Sequence, residues 1–195
     1  MQNQFNVKTD LTLGDMLITG EVEVVTVRKN LDLINSGKQS LADAEVALSG
    51  RTFREKIMED RFGSIKGYDF VFCDLSPTIT LANTMALYYC DYLLVPVSMS
   101  FYAITGAHQI INASIDISEQ SPIELFGIIL NRFDLRTNLA SMVREAVKDK
   151  WGTLVFDTLI RKNIAIEEAP SQRKTIYEHA PRSNGNEDFS RLTEE

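Results

Sequence analysis

Hydrophobic positions along this chain follow two rhythms. Short, near-continuous apolar runs occur at Phe70–Cys73, Tyr92–Val97, Ile123–Leu130 and Leu154–Ile160. A run without polar alternation predicts a strand covered on both faces, as in a parallel sheet. Asn30–Ile34 is a weaker fifth strand candidate. Between the runs the spacing changes to i, i+3, i+4, i+7. Leu139, Met142, Val143, Ala146 and Val147 predict a helix, with Thr137 or Asn138 to cap its start and Gly152 just past its end. Ser40 to about Arg61 predicts a second helical stretch, broken near Ser49-Gly50, and Leu81–Cys90 and Ala103–Ile117 predict two more. Phe189 and Leu192, at helical spacing in the polar tail, predict a short C-terminal helix. Strands alternating with helices make the fold class α/β, a mainly parallel sheet with helices on both faces. A length of 195 residues makes one domain over 1–195 the default.

Composition narrows the class only slightly. A net charge of −7 argues against a broadly basic nucleic-acid binder, while leaving room for a local basic patch. The two cysteines, Cys73 and Cys90, form no CxxC pair, so neither a metal site nor a disulfide framework is expected. Cys73 reads as buried filler, and the pattern fits a reducing cytoplasm. No apolar run approaches the roughly 20 residues needed to cross a bilayer. The opening MQNQFNVKTD lacks the basic-then-apolar form of a signal peptide. His108 and His179 are isolated, and Trp151 reads as a core anchor. Met85, Leu87, Tyr88 and Tyr89 read as core.

Polar residues come after several of the apolar runs. Asp74 ends the first, where Pro77 breaks the strand. Asn131 follows FGIIL, and Arg161-Lys162-Asn163 follow the last run. Ligands of parallel α/β sheets bind off the carboxyl ends of the strands. These residues therefore outline a candidate site, although strand ends are also where polar residues ordinarily fall.

The same segments resemble a known family. Asp74-Leu75-Ser76-Pro77 is similar to the DxPP segment of the ParA/MinD (Soj-like) group of P-loop ATPases, with Ser76 where proline is usual. DYLLVPVSMSFYAITG (Asp91–Gly106), GIILNRFDLRTN (Gly127–Asn138), IRKNIAIEEAPSQRKTI (Ile160–Ile176) and HAPRSNGNEDF (His179–Phe189) resemble further motifs of that group. The resemblance implies a P-loop NTPase-like sheet of the SIMIBI type and a DNA-partitioning ATPase of plasmids or chromosomes. Its cofactors would be ATP and Mg²⁺. Its partners would be a second copy of the chain, a centromere-binding ParB-like protein and non-specific DNA, with no membrane. It would be cytoplasmic, and nucleoid-associated where DNA is bound. Asp74 would be the catalytic, Mg²⁺-side acid. Asn131, Arg132, Lys162 and Asn163 would lie beside the base, with Arg161 standing where proline is usual. Lys162, Lys174 and Arg182 would be DNA contacts. Other implied roles are a non-catalytic ParA-like binding module or a MinD-like positioning ATPase, although the C-terminus lacks a basic amphipathic helix with bulky apolar residues.

One motif of that family has no counterpart here. The lysine-bearing loop KGGxGKT, whose backbone amides wrap the phosphates, does not occur. Ser36-Gly37-Lys38 and Gly63-Ser64-Ile65-Lys66 are the nearest stretches, and neither has its glycine spacing. Gln2–Asn6 resembles the segment just after the family's second strand, so the chain is expected to be truncated at its N-terminus relative to the family. The expected consequences are a sheet incomplete on that side, a tendency to swap or self-associate, and no appreciable ATPase from these residues alone.

Overall fold

A computed structural model of the chain describes residues 7–63, 65–76 and 80–195. Two compact units are present: Met1–Asp91 with Gln120–Pro122, and Tyr92–Glu119 with Ile123–Glu195. Gln2–Asn6 and Pro77 lie outside the described residues.

The first unit is mostly helical. α1 (Leu13–Thr19) starts where the Asp15 carboxylate accepts from the Thr12 backbone N–H at 2.8 Å and from its hydroxyl at 2.6 Å. A hairpin comes next, β1 (Val24–Arg28) against β2 (Leu31–Ile34), turning at Asn30 with φ 60°, a conformation asparagine tolerates better than most residues. The predicted strand at Asn30–Ile34 is therefore real but antiparallel, and its partner Val24–Arg28 lies outside the predicted runs. α2 (Lys38–Leu48) and α3 (Ile57–Phe62) replace the single long helix, with the break near Ser49-Gly50 as expected. α4 (Leu81–Tyr89) is capped by the Thr80 hydroxyl, which accepts from the Asn83 N–H. Met16, Leu17, Leu48, Ile57, Met58, Phe62, Met85 and Ala86 form the core. Leu87 is buried too, while Tyr88 and Tyr89 are half-buried.

The predicted strand at Phe70–Cys73 is absent. The stretch forms no ladder among the described residues, and Phe70 and Phe72 are 78% and 82% exposed. A strand needs a neighbour to take its backbone hydrogen bonds. No described strand pairs with this run, so its apolar composition alone does not make it one.

The second unit is the parallel sheet. It contains β3 (Tyr92–Ser98), α5 (Phe101–Ile117), β4 (Glu124–Phe133), α6 (Asn138–Trp151), β5 (Val155–Arg161), α7 (Ile164–Glu168), α8 (Ile176–His179) and α9 (Asn184–Glu194). The strand order is β3-β4-β5, and both pairings are parallel. Central β4 buries Gly127 to Leu130 in succession, as a doubly covered strand does. Edge strand β3 departs from that expectation. Leu93, Val95 and Val97 are buried, whereas Tyr92, Leu94 and Pro96 are exposed. Pro96, which has no N–H to donate, is tolerated on such an edge. A Cβ on Gly127 would stand 2.3 Å from Phe156 Cε2, so this glycine allows β4 and β5 to carry an aromatic across them.

α6 forms where its periodicity placed it. The Thr137 hydroxyl accepts from the Ala140 N–H at 3.2 Å, and Gly152 ends the helix with φ 56°. Ala140, Val143 and Val147 are buried, but Leu139 and Met142 remain 38% and 55% exposed, so the buried stripe is narrower than predicted. Trp151 is half-buried rather than a core anchor, with Lys150 Nζ 5.1 Å from its ring centroid.

Candidate functional site

The carboxyl ends of β3, β4 and β5 bring together most of the residues singled out in the sequence. Ser98 pairs with Asn131, Asn131 with Ile160, and Phe133 with Arg161. The ladder shifts register between Asn131 and Phe133, and the extra residue, Arg132, takes φ 60°. A bulge of this kind re-aims a side chain at the end of a strand. Arg132 turns to Glu167 of α7, at 2.7 Å. That backbone costs a non-glycine residue about 1 kcal/mol, and strain of this kind collects at functional sites.

Beyond the strand ends lies a cavity of about 410 Å³, lined by Phe133, Asp134, Leu135, Arg136, Arg161, Lys162 and Asn184. Two of its cations are committed. The Asp134 carboxylate takes the Arg136 guanidinium at 2.8 Å through each oxygen and also accepts from the Arg136 N–H. These bonds, with a smaller contribution from Lys162, hold the Asp134 carboxyl down at about 2. Arg161 donates from its backbone N–H, Nε and Nη2 to Asp188, whose side chain is 5% exposed, and Nη2 also reaches Glu187 at 2.8 Å. These acids raise the Arg161 pKa. Lys162 takes part in neither pair, and its backbone N–H donates to the Phe133 carbonyl at 2.9 Å. Asn163 caps α7, its side-chain oxygen accepting from the Ala165 N–H at 2.9 Å.

The motif residues also explain the local backbone. Asp134 and Thr137 build the turn that starts α6. Glu168-Ala169-Pro170-Ser171 runs into a 3-10 turn in which Ala169 is buried, Ser171 donates to the Glu168 carbonyl and Arg173 takes φ 56°. Gly185 lets α9 pack against Ile166, where a Cβ would stand 2.8 Å from Cγ1. His179 Nε2 lies 3.7 Å from a Glu168 oxygen. Lys162, Lys174 and Arg182 are all exposed in this unit, accompanied by Glu167, Glu168 and Glu187.

Asp74 belongs to the first unit, exposed in the irregular stretch after Cys73. Cys73 is half-buried rather than fully buried, packed against the first unit's core. The nearest stretch to a phosphate loop, Ser36-Gly37-Lys38, lies between β2 and α2. A Cβ on Gly37 would stand 2.6 Å from the Thr12 side chain, and Asp15 bonds both Thr12 and Ser40 beside it. Thr12 therefore closes this turn, and the Asp15 carboxylate would repel a phosphate. Among the described residues no group of three His, Cys, Asp or Glu side chains is placed to hold a metal. The sequence reading took Asp188 only as one of the acids diluting the basic residues and missed its pairing with Arg161. Its signal was an acid on the same helical face as Gly185 and Leu192.

Residues 2–126 match the model of an AAA domain family. Over 189 residues the chain is 32% identical to the sporulation initiation inhibitor protein Soj of Bacillus subtilis, covering 95% of this chain and 74% of that protein. The chain belongs to the ParA/MinD family of ATPases. It is also 32% identical over 156 residues to the chromosome-partitioning ATPase Soj of Thermus thermophilus, covering 79% of this chain and 60% of that protein. An ATP complex of McdA from Cyanothece superposes with a TM-score of 0.82 at 18% identity, over 96% of this chain and 76% of that one. The α/β fold is that of the P-loop NTPases, with β3-β4-β5 as the parallel sheet among the described residues. No helix among the described residues is long and apolar enough to cross a membrane.

Proposed function

We propose that this chain is a ParA-type DNA-partitioning ATPase, with one nucleotide-binding domain over 1–195. The observation that carries this reading is the 32% identity to Soj over 189 residues. The cavity beyond β4 and β5, with its uncommitted lysine, is consistent with it. The residues fit only part of the nucleotide. The cavity of about 410 Å³ lies at the ends of the strands that carry Asn131 and Arg132, and of Asn131, Arg132, Lys162 and Asn163 it is lined by Lys162. Nothing beside α2 suits a triphosphate, because Thr12 and Asp15 occupy that turn. Mg²⁺ would supply charge neutralisation at the phosphates when bound, with Asp74 as its protein-side acid. Exposed Lys162, Lys174 and Arg182 would contact DNA phosphates, which gives affinity without sequence reading. The partners of this reading are a second copy of the chain and a ParB-like protein, and the setting is the cytoplasm or nucleoid.

Two titrations test it. Calorimetry of the full chain should show adenosine binding that is reduced by Lys162→Ala. Adenosine binding that is absent, or unchanged in Lys162→Ala, would count against the cavity beyond β4 and β5 as the nucleoside site. Fluorescence anisotropy with labelled duplex DNA should show salt-sensitive binding whose slope in log–log form falls by roughly 0.9 for each of Lys162, Lys174 and Arg182 that is replaced by alanine. Absence of DNA binding at low salt would leave the non-catalytic binding module instead.

A further inference from the structure

Among the described residues β5 is an edge strand that pairs with β4 on one side. Its outer edge is met by α9, and carboxylates rather than a ladder join the two. The Asp188 carboxylate accepts from the Arg161 backbone N–H at 2.9 Å. The Glu195 carboxylate, one residue past the end of α9, accepts from the Asp157 and Thr158 backbone N–H groups at 2.7 and 2.9 Å. Two acids therefore take three donors that an open edge would offer to water or to another chain. The spacing of the acids fits the strand. Asp188 and Glu195 are seven positions apart, about 10.5 Å along a helix. Arg161 lies three positions beyond Thr158 and four beyond Asp157, about 10–13 Å along a strand. α9 thus runs antiparallel to β5 with a contact at each end. Its first residue, Asn184, lines the cavity at the strand ends together with Arg161 and Lys162. The Arg161 guanidinium is held to α9 by Asp188 at 2.5 Å and by Glu187 at 2.8 Å. One helix both covers an edge and walls a cavity, and the Arg161–Asp188 pair belongs to both.

We propose that α9 is a two-point strap on β5 whose docking is coupled to occupancy of the cavity, with Asp188 as the positioning residue that carries the coupling. Asp188 is not among the residues that line the cavity. It acts through Arg161. The buried carboxylate fixes both the guanidinium and the backbone at the end of β5. The next residue, Lys162, whose N–H donates to the Phe133 carbonyl at 2.9 Å, lines the cavity. A ligand resting against Arg161, Lys162 and Asn184 is bound better while α9 is docked, and by reciprocity it keeps α9 docked. The effect reaches the far contact because Asp188 and Glu195 are carried by one helix. The strap stands on the bonds to β5 alone. Its coupling to adenosine rests on the nucleoside reading of the cavity, and experiment separates the two.

Amide hydrogen exchange of the full chain, read by NMR at Asp157 and Thr158, tests both parts. Neither residue lines the cavity, and rates are taken relative to Ile129 in the middle of β4 so that global unfolding cancels. Asp188→Asn keeps the shape of the side chain and removes its charge. It should speed exchange at both amides several-fold, although they are bonded to Glu195 and not to Asp188. Saturating adenosine should slow both amides several-fold in the native chain and leave them unchanged in Asp188→Asn. Calorimetry should show adenosine bound several-fold more weakly by Asp188→Asn. A purely structural pair would give the faster exchange without the response to adenosine. Glu195→Ala, at an exposed position, gives the reverse reading should Asp188→Asn not fold: exchange at the Arg161 amide should rise. Unchanged exchange at the opposite end of the helix in these variants overturns the strap. Adenosine that binds without slowing Asp157 and Thr158 overturns the coupling and leaves the nucleoside reading standing. Adenosine that does not bind overturns that reading and the coupling together, while the strap is still decided by exchange in the variants.

Discussion

Replacing Arg161 tests how the C-terminal helix holds the site. In the native chain Arg161 gives Asp188 a backbone N–H at 2.9 Å, Nε at 2.9 Å and Nη2 at 2.5 Å. The Asp188 side chain is 5% exposed and the Arg161 side chain 31% exposed, so the acid is the group that depends on its partner. Arg161→Ala leaves a buried carboxylate with the backbone donor as its remaining bond from residue 161. Breaking a buried pair costs about 3–5 kcal/mol, and the surviving donor together with the partial exposure of Arg161 puts this case at about 3 kcal/mol. For a unit of roughly a hundred residues that is a fall of more than about 10 °C in Tm. Trp151, the only tryptophan, belongs to the same unit and reports its unfolding in urea by fluorescence. Arg191→Ala is the control. It removes an exposed i,i+4 pair with Glu187 and should cost about 0.3–0.5 kcal/mol. The double variant Arg161→Met with Asp188→Leu should recover most of the loss, because it removes the charge and its partner together. If Arg161→Ala costs no more than the Arg191→Ala control, the buried-pair reasoning fails.

Other sites give outcomes of their own. Gly127→Ala drives a methyl into Phe156 and should destabilise the chain by about 1–3 kcal/mol in thermal melts, with partial rescue by Phe156→Leu. Asp134 has its carboxyl lowered to about 2, so its contribution to stability is present above the unfolded value near 3.9 and is lost as pH falls from there through 2. An NMR titration should show that pKa rising in Arg136→Gln, and no change would count against the bidentate contact. The Glu195 carboxylate accepts from the Asp157 and Thr158 backbone N–H groups on edge strand β5, at 2.7 and 2.9 Å. Glu195→Ala should therefore cost about 1 kcal/mol and speed hydrogen exchange at those two amides. Phe70→Ser with Phe72→Ser should change stability by less than about 0.5 kcal/mol, since both rings are exposed, and a larger loss would show that the stretch is a packed strand after all.

Much of the second unit was legible before any coordinates. β3, β4, β5, α5, α6 and α9 lie close to where apolar runs and helical spacing placed them, because both ladder partners of β4 and the helices between them belong to the same stretch of chain. Caps and turns were legible for the same reason. Thr137, Asn163 and Gly152 act within a few residues of themselves, so their chemistry is readable from their own neighbourhood. The family, too, was carried by the chain of letters, through segments such as EAPS and DLRTN that turn out to be turn-and-cap devices.

Tertiary structure alone decided what depends on a distant partner. Phe70–Cys73 has the composition of a buried strand and is irregular, because strand formation is a pairing event and no described strand supplies the pair. Leu139 and Met142 have the right spacing and stay exposed, since burial depends on what faces a helix rather than on its period. Asp188 found Arg161 across 27 residues, and no local pattern encodes a contact whose two halves are that far apart in the chain. Local energetics write the elements into the sequence; partners, exposure and charge pairing appear only once the chain closes on itself.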